Sequence, residues 1–143
     1  MNREFQECLK KGKIKKFSRG RALALKELEI AGSDLARAKK TLKDRDYKWA
    51  TIQVYYSMFH SARALLYYKN YREHSHYCLI RAIRALFVEE KVIPLSFIDA
   101  LQEAKELRED ADYFNRWSKS GCGRLIKVAD KWLIECQEIM IST

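Results

Sequence analysis

Regular hydrophobic spacing runs from Trp49 to Tyr68, within the longest segment of the chain that contains no proline, glycine or acidic residue. Its apolar side chains recur every three or four positions, the spacing of one α-helical face: Tyr55, Met58, Phe59, Ala62, Leu65 and Leu66. A second line with the same spacing is aromatic and basic: Tyr56, His60, Arg63 and Tyr67. The pattern predicts a central helix that buries one face. The second face could be a site, a partner surface or a solvent-exposed edge.

Helical spacing also recurs in the rest of the chain. It predicts further helices over residues 2–10, 21–43, 76–90, 96–115 and 122–141. The central helix has Asp46 as a plausible N-cap and Asn70 as a plausible left-handed C-cap, and Ser75 can cap the helix that follows. We expect the apolar side of the second helix to include Leu25, Leu28, Leu35, Ala38 and Leu42.

Glycines and charged runs indicate where the helices are interrupted. Gly32 predicts a weak point or kink in the second helix, since glycine costs about 1 kcal/mol relative to alanine there. Gly121 and Gly123 are expected to precede the last helix. We interpret residues 11–21 as an ordered loop or a mobile basic arm, and residues 71–75 as a linker.

The composition favours an all-α fold. The chain has 143 residues, one proline and five glycines, and no run that alternates like a strand. We therefore predict an antiparallel up-and-down bundle of four main helices plus a short N-terminal helix. The expected organisation is a basic N-terminal segment over residues 1–18 and a helical bundle domain over residues 19–143.

The basic charge is concentrated near the N-terminus. The formal net charge is +9, and 15 of the 28 Lys and Arg residues lie in residues 1–48, whereas residues 94–143 contain more acidic than basic side chains. Such a segment is typical of nucleic-acid binding or of contact with an acidic protein, and equally of a solvated lysine-rich face. No apolar run reaches the ~18 residues of a membrane span, so we expect a cytoplasmic protein without a membrane partner.

The four cysteines do not form a metal motif. Cys8, Cys78, Cys122 and Cys136 make no CxxC or CxH pair, and the three histidines lack a metal-binding spacing such as HExxH. We predict neither a metal site nor a cofactor. Cys78 and Cys136 are expected to be core thiols, because both lie among apolar residues at helical spacing.

Arg108 is the most informative candidate, since it falls on the apolar stripe of its predicted helix. It can be satisfied by Asp112, four residues on, or it can bind a phosphate. His60 could act as a general base, with Arg63 one turn later, or pack at a helix contact. His76 begins a helix and can face the central one.

Three segments together resemble the HEPN domain family: YYSMFHSARALL, SHYCLI and LREDADY. The resemblance covers about residues 20–140. It implies an all-α bundle, often a homodimer, with a nucleotidyltransferase-type antitoxin as partner and RNA or a nucleotide as ligand. Many members of that family are metal-independent ribonucleases, and others only bind.

The family's ribonucleases carry an arginine and a histidine separated by four to six residues. The matching arginine here is Arg108, but Tyr113 and Asn115 stand where the histidine is expected. Arg72 and His76 are separated by only three residues. The resemblance therefore implies a degenerate ribonuclease motif in an RNA- or nucleotide-binding protein. The alternatives are a divergent endoribonuclease toxin and a noncatalytic dimerisation adaptor.

The candidate catalytic residues are therefore Arg108, His60 and His76. The candidate RNA- or nucleotide-binding residues are Arg63, Asp112, Tyr113 and Tyr56. We expect the line Tyr56, His60, Arg63 and Tyr67 to form a wall opposite Arg108 and Tyr113.

Overall fold

Six α-helices make up most of the chain in the computed structural model, which describes residues 2–141. They are α1 (Arg3–Lys10), α2 (Gly20–Lys43), α3 (Tyr47–Tyr68), α4 (His76–Ile83), α5 (Leu95–Tyr113) and α6 (Lys119–Ile141). A π-helical turn, Arg84–Val88, continues α4, and two short strands are β1 (Ile14–Lys16) and β2 (Tyr71–Glu73). The four long helices α2, α3, α5 and α6 form the bundle, which confirms the all-α prediction.

Helix α3 lies at the centre of this bundle and packs against α2, α5 and α6. Met58, Ala62 and Leu65 are fully buried, as the spacing of its apolar face predicts. Both predicted ends are confirmed: the Asp46 carboxylate accepts a hydrogen bond from the Trp49 N–H, and Asn70 adopts a left-handed φ of 61°. The predicted cap of α4 is also confirmed, because the Ser75 hydroxyl accepts a hydrogen bond from the Cys78 N–H.

Helix α2 packs along α3 through a stripe of mostly small residues: Gly20, Ala24, Leu28, Ala31, Leu35 and Ala38. Small side chains allow a close approach, and the Ser57 hydroxyl on α3 donates to the Ala31 carbonyl oxygen at 2.8 Å. The prediction that Leu25 is buried is wrong, since its side chain is 57% exposed. Ala24 occupies that turn of the inner face instead. The helix also continues through Gly32 rather than being interrupted there.

Residues 11–21, interpreted as an ordered loop or a mobile basic arm, are ordered and contain β1, and the segment interpreted as a linker after α3 contains β2, so the sequence predictions missed both strands. Strand β1 pairs with β2 in antiparallel register, Ile14 opposite Glu73, Lys15 opposite Arg72 and Lys16 opposite Tyr71. Ile14 is 1% exposed, which shows that the strand pair is packed on the bundle. The two strands are joined through α2 and α3 rather than by a turn, and we call this long-range pair the hairpin. Three-residue strands that pair across such a sequence separation leave little local pattern to detect.

A disulfide joins Cys8 on α1 to Cys78 on α4, across a sequence separation of 70 residues. The expectation that Cys78 is a core thiol is therefore wrong, whereas Cys136 is a buried free thiol as predicted. Phe5, fully buried, packs edge-on against Tyr71 with ring centroids 5.5 Å apart. The N-terminal segment is therefore fastened to the bundle. The predicted domain boundary after residue 18 stays a prediction. Met1, Ser142 and Thr143 lie outside the described residues.

The last helix begins earlier than its glycines suggested. Gly121 and Gly123 lie inside α6 rather than before it, because the Ser118 hydroxyl accepts the Gly121 N–H at 3.0 Å and supports the first turn. Further along α6, the buried Trp132 donates its indole N–H to the Phe97 carbonyl oxygen at 3.1 Å, which ties α6 to α5. No helix within residues 2–141 is long and apolar enough to cross a membrane.

Candidate functional site

Arg108 lies on α5 where that helix faces α3, and it is held on several sides. Its guanidinium donates to the hydroxyl of Tyr56 at 3.1 Å and to the hydroxyl of Tyr113 at 3.2 Å. It also forms an ion pair with Asp112 at 3.2 Å, and 19% of its side chain remains exposed. Arg108, Tyr56, Asp112 and Tyr113 are thus brought together by two helices.

Aromatic rings complete the surroundings of this guanidinium. Its carbon lies 5.7 Å from the ring centroid of Tyr55, 5.6 Å from that of Tyr56 and 5.2 Å from that of Tyr113. Burial lowers the pKa of Arg108, but the hydrogen bond that its guanidinium donates to Tyr113 and its electrostatic interactions with Tyr56 and Asp112 outweigh burial and leave the pKa raised. The group is therefore a permanent cation held in one orientation. Its Nε is buried and has no hydrogen-bond partner within residues 2–141.

Tyr55 lies between His76 and Arg108, since its ring centroid is 5.7 Å from the Arg108 guanidinium carbon. The Tyr55 hydroxyl lies 3.2 Å from His76 Nδ1, and burial raises the pKa of Tyr55 to about 12. Burial, together with the nearby charge of Lys105, lowers the pKa of His76 to about 4. The imidazole is therefore neutral at pH 7. Its Nε2 is buried without a hydrogen-bond partner among the described residues.

His60 belongs to a different cluster. Its Nδ1 lies 2.6 Å from a carboxylate oxygen of Glu27 on α2, and Arg63 forms an ion pair with Glu73 on β2 at 2.8 Å. Asp34 is 3.9 Å from His60 Nε2. These contacts fasten α2 and the hairpin to α3. They place His60 and Arg63 in an environment that is rich in carboxylates.

The line Tyr56, His60, Arg63 and Tyr67 is therefore divided, and the expectation that all of it forms a wall opposite Arg108 is wrong. Tyr56 reaches Arg108, whereas the next two residues face Glu27 and Glu73. Tyr67 packs against Phe17 with ring centroids 5.1 Å apart. The cause is position along the helix axis: the four residues keep to nearly one face of α3, but eleven residues span about 16 Å, so the line runs from the part of α3 that faces α5 to the part beside α2 and β2. The ligand-binding roles of these side chains stay predictions.

An exposed aromatic surface lies next to Arg108. Trp49 is 50% exposed and Trp117 is 46% exposed, and the Lys48 ammonium lies between them, 5.4 Å and 6.0 Å from their ring centroids. Lys48 also donates to the side-chain oxygen of Asn115 at 3.2 Å, which holds the turn after α5 against α3. We call Trp49, Tyr56, Tyr113 and Trp117 the aromatic surface.

The sequence predictions missed Trp49, Trp117 and Lys48. One signal was available: Trp49 precedes Tyr56 by seven residues, which is two helical turns and therefore the same face of α3. No comparable signal exists for Trp117, because it lies in the irregular turn between α5 and α6. Only folding brings it to the opposite side of Lys48.

The model of the HEPN domain matches residues 24–139 of this chain. The chain belongs to the HEPN domain family. The HEPN protein is also 35% identical over 86 residues to "Putative toxin MJ0605" of Methanocaldococcus jannaschii, which covers 60% of this chain and 64% of that protein. It is 26% identical over 88 residues to "Putative toxin MJ0142" of the same organism, covering 62% and 60%. The matches thus span about three fifths of either relative.

The geometry of the HEPN protein accounts for its departure from the ribonuclease pattern that the resemblance implied. Tyr113, five residues after Arg108, points its hydroxyl back at the guanidinium. A neutral phenol is a poor base but a good hydrogen-bond partner. The arrangement is therefore better suited to holding an anion beside Arg108 than to moving a proton.

Proposed function

We propose that this HEPN protein is a toxin-type component of a toxin–antitoxin pair that binds RNA or a nucleotide at Arg108. In this proposal its ribonuclease motif is degenerate, it acts as a homodimer, and its antitoxin is a nucleotidyltransferase-type protein. The family and the names of the two relatives support the toxin part. The observation that carries the ligand part is the orientation of Arg108 by two tyrosine hydroxyls at the edge of the aromatic surface.

Arg108 supplies the charge that a phosphate would need. Its side chain is already ordered by Tyr56 and Tyr113, so little rotamer entropy remains to be lost when a ligand binds. An arginine also presents a planar fork of N–H groups that matches phosphate oxygens. Asp112 neutralises part of this charge in the free protein, and a phosphate would compete with it for the guanidinium.

The aromatic surface supplies the second requirement, contact with bases. Half-exposed indole rings are typical stacking partners for unpaired bases, and each stacked base contributes about 1–3 kcal/mol. Trp49 and Trp117 have this exposure and lie around a lysine. Unpaired RNA therefore fits the surface better than a duplex, whose bases are already stacked.

The test is RNA binding by fluorescence anisotropy, comparing the wild type with Arg108→Ala. Loss of a charge-assisted hydrogen bond of about 1.5–3 kcal/mol should weaken binding roughly ten- to hundredfold. Arg124→Ala is the matched control, because Arg124 is also paired with a carboxylate on α5, Glu103 at 2.8 Å, but is 54% exposed. Equal affinities for wild type and Arg108→Ala would refute the site.

A metal-independent endoribonuclease is the second candidate, and His76 is the observation that favours it. Its imidazole is neutral at pH 7 and connected to Arg108 through Tyr55. Incubation with RNA in EDTA should then give cleavage that Arg108→Ala and His76→Gln abolish and His60→Ala retains. No cleavage by the wild type, or equal cleavage by all variants, excludes this candidate.

The partner and the homodimer are tested separately. A nucleotidyltransferase gene beside this one, whose product co-purifies with the HEPN protein, would agree with the proposed antitoxin. Light scattering at micromolar concentration should give twice the mass of the 16.9 kDa chain. A monomer at that concentration would contradict the homodimer.

A further inference from the structure

Seven exposed cations surround the two-stranded sheet of β1 and β2, at the end of α3 that is remote from Trp49. They come from the two strands, the start of α2, the end of α3 and the turns between them. We call them the basic hairpin surface: Lys13, Lys15, Lys16, Arg19, Arg21, Lys69 and Arg72.

The strand register sets two of these cations directly against each other. Lys15 is the cross-strand partner of Arg72, and both side chains are exposed. Like charges in directly opposed positions destabilise a strand pair. The acidic residue of β2 does not compensate them, because Glu73 is turned inward to Arg63 and its side chain is 7% exposed.

The positive charge of the whole surface is uncompensated. No member of the basic hairpin surface lies within 4.0 Å of a carboxylate in residues 2–141, whereas Lys39, Arg63, Arg81, Lys105, Arg108 and Arg124 all do. Seven exposed cations gathered at one end of the bundle form a positive patch, which is the electrostatic footprint expected for an anionic ligand.

Two arginines of the basic hairpin surface are held by aromatic rings before any ligand binds. The Arg21 guanidinium lies 4.2 Å from the Tyr68 ring centroid and donates through Nε to the Tyr68 carbonyl oxygen at 3.3 Å. The Arg72 guanidinium lies 5.5 Å from the Phe17 ring centroid. A cleft of about 320 Å³ opens beside these rings, lined by Lys16, Phe17, Ser18, Lys69, Asn70 and Tyr71. A ligand therefore meets fixed charges beside a groove.

We propose that the basic hairpin surface binds the phosphodiester backbone of RNA as a second contact area, separate from Arg108. The proposal rests on the RNA-binding function proposed above, and it adds where a bound RNA strand continues beyond Arg108. Tyr68 follows Tyr56 by twelve residues of α3, which is about 18 Å along the helix axis. At about 3.4 Å per stacked nucleotide, an RNA strand needs roughly five nucleotides to span that distance.

The experiment measures affinity for a single-stranded RNA of fifteen nucleotides at salt concentrations from 50 to 300 mM. The test variant is Lys15→Gln/Lys16→Gln/Arg72→Gln. The control, Lys40→Gln/Lys127→Gln/Lys131→Gln, removes the same charge from exposed positions on α2 and α6. If the three hairpin cations each contact a phosphate, the slope of log K against log salt should become shallower by about 2, and the control slope should stay unchanged.

RNA length gives a second readout. A trinucleotide is too short to reach from Arg108 to the hairpin, so its affinity should fall in Arg108→Ala and stay unchanged in the hairpin triple variant. An unchanged fifteen-nucleotide slope in the hairpin variant, or an equal change in the control, would overturn the proposal. Retained RNA binding together with lost binding of a co-purified antitoxin would also overturn it and assign the surface to an acidic protein.

The two proposals fail in different ways. If Arg108→Ala binds like the wild type while the hairpin variant has a shallower slope, the Arg108 site is refuted and the basic hairpin surface stands. No RNA binding by the wild type refutes both. The hairpin variant removes the Lys15–Arg72 repulsion as well as the Arg72–Phe17 contact, so its melting temperature should stay near that of the wild type. If it does not fold, Lys15→Gln and Arg72→Gln singly should each make the slope shallower by about 0.7.

Discussion

Reduction of the Cys8–Cys78 disulfide should strongly destabilise the protein. The bond closes a loop with a sequence separation of 70 residues. The chain-entropy relation for a loop of that length predicts about 4 kcal/mol of stabilisation, because the crosslink restricts the unfolded chain. For a domain of this size, 1 kcal/mol corresponds to roughly 2–4 °C in the melting midpoint, so reduction should lower it by roughly 8–16 °C.

The assay is thermal unfolding followed by far-ultraviolet circular dichroism, with and without a phosphine reductant. The same chain is compared in two redox states, so the comparison does not include the change in side-chain volume that a substitution would cause. The double variant Cys8→Ser/Cys78→Ser is the control and should melt at one temperature in both buffers. Cys122 and Cys136 remain as free thiols in every sample, so their reduction state does not differ.

Two results would refute this reasoning. A wild-type shift that corresponds to less than about 1 kcal/mol would mean that the unfolded chain gains little freedom when the bond is broken. An equal reductant effect on the double variant would show that the shift arises elsewhere. Loss of the β1–β2 pairing alone, with the bundle melting unchanged, would also contradict a global effect of the crosslink.

Two further predictions concern stability. Gly20→Ala should destabilise the protein by about 1–3 kcal/mol, because a Cβ there would overlap the Tyr67 carbonyl oxygen and lie 3.1 Å from Asn70 Cα. Gly123→Ala should instead stabilise α6 by about 0.5–1 kcal/mol, because a Cβ at that position meets no atom within 4 Å. Urea unfolding of both variants checks this pair, and equal effects would contradict it. The pKa of His76 is lowered to about 4 in the folded protein, below its unfolded value of 6.5, so the unfolded chain binds more protons between these values. The free energy of unfolding should therefore have its full value above pH 6.5. It should fall by roughly 1–2 kcal/mol towards pH 4, after allowance for solvent screening. His76→Gln should lose less over that range, and an equal loss in both chains would assign the pH dependence to other groups.

The helices could be predicted from the sequence because their determinants are local. The apolar face of α3 repeats every three or four residues, and Asp46 and Ser75 cap helices through N–H groups three residues away. Asn70 ends α3 through its own backbone conformation. The HEPN resemblance also depended on short continuous segments. None of these features needs a distant partner, so the sequence by itself determined the helical elements, most of the core and the family.

Only the tertiary structure decided which side chains meet. The disulfide and the pairing of β1 with β2 join segments far apart in the chain. Arg108 is oriented by Tyr56 from α3, and Lys48 lies between Trp49 and Trp117 from different elements. His60 faces Glu27 on α2 rather than Arg108. The physical reason is that helical spacing specifies which residues share a face, whereas the neighbour of that face is set by how the helices pack.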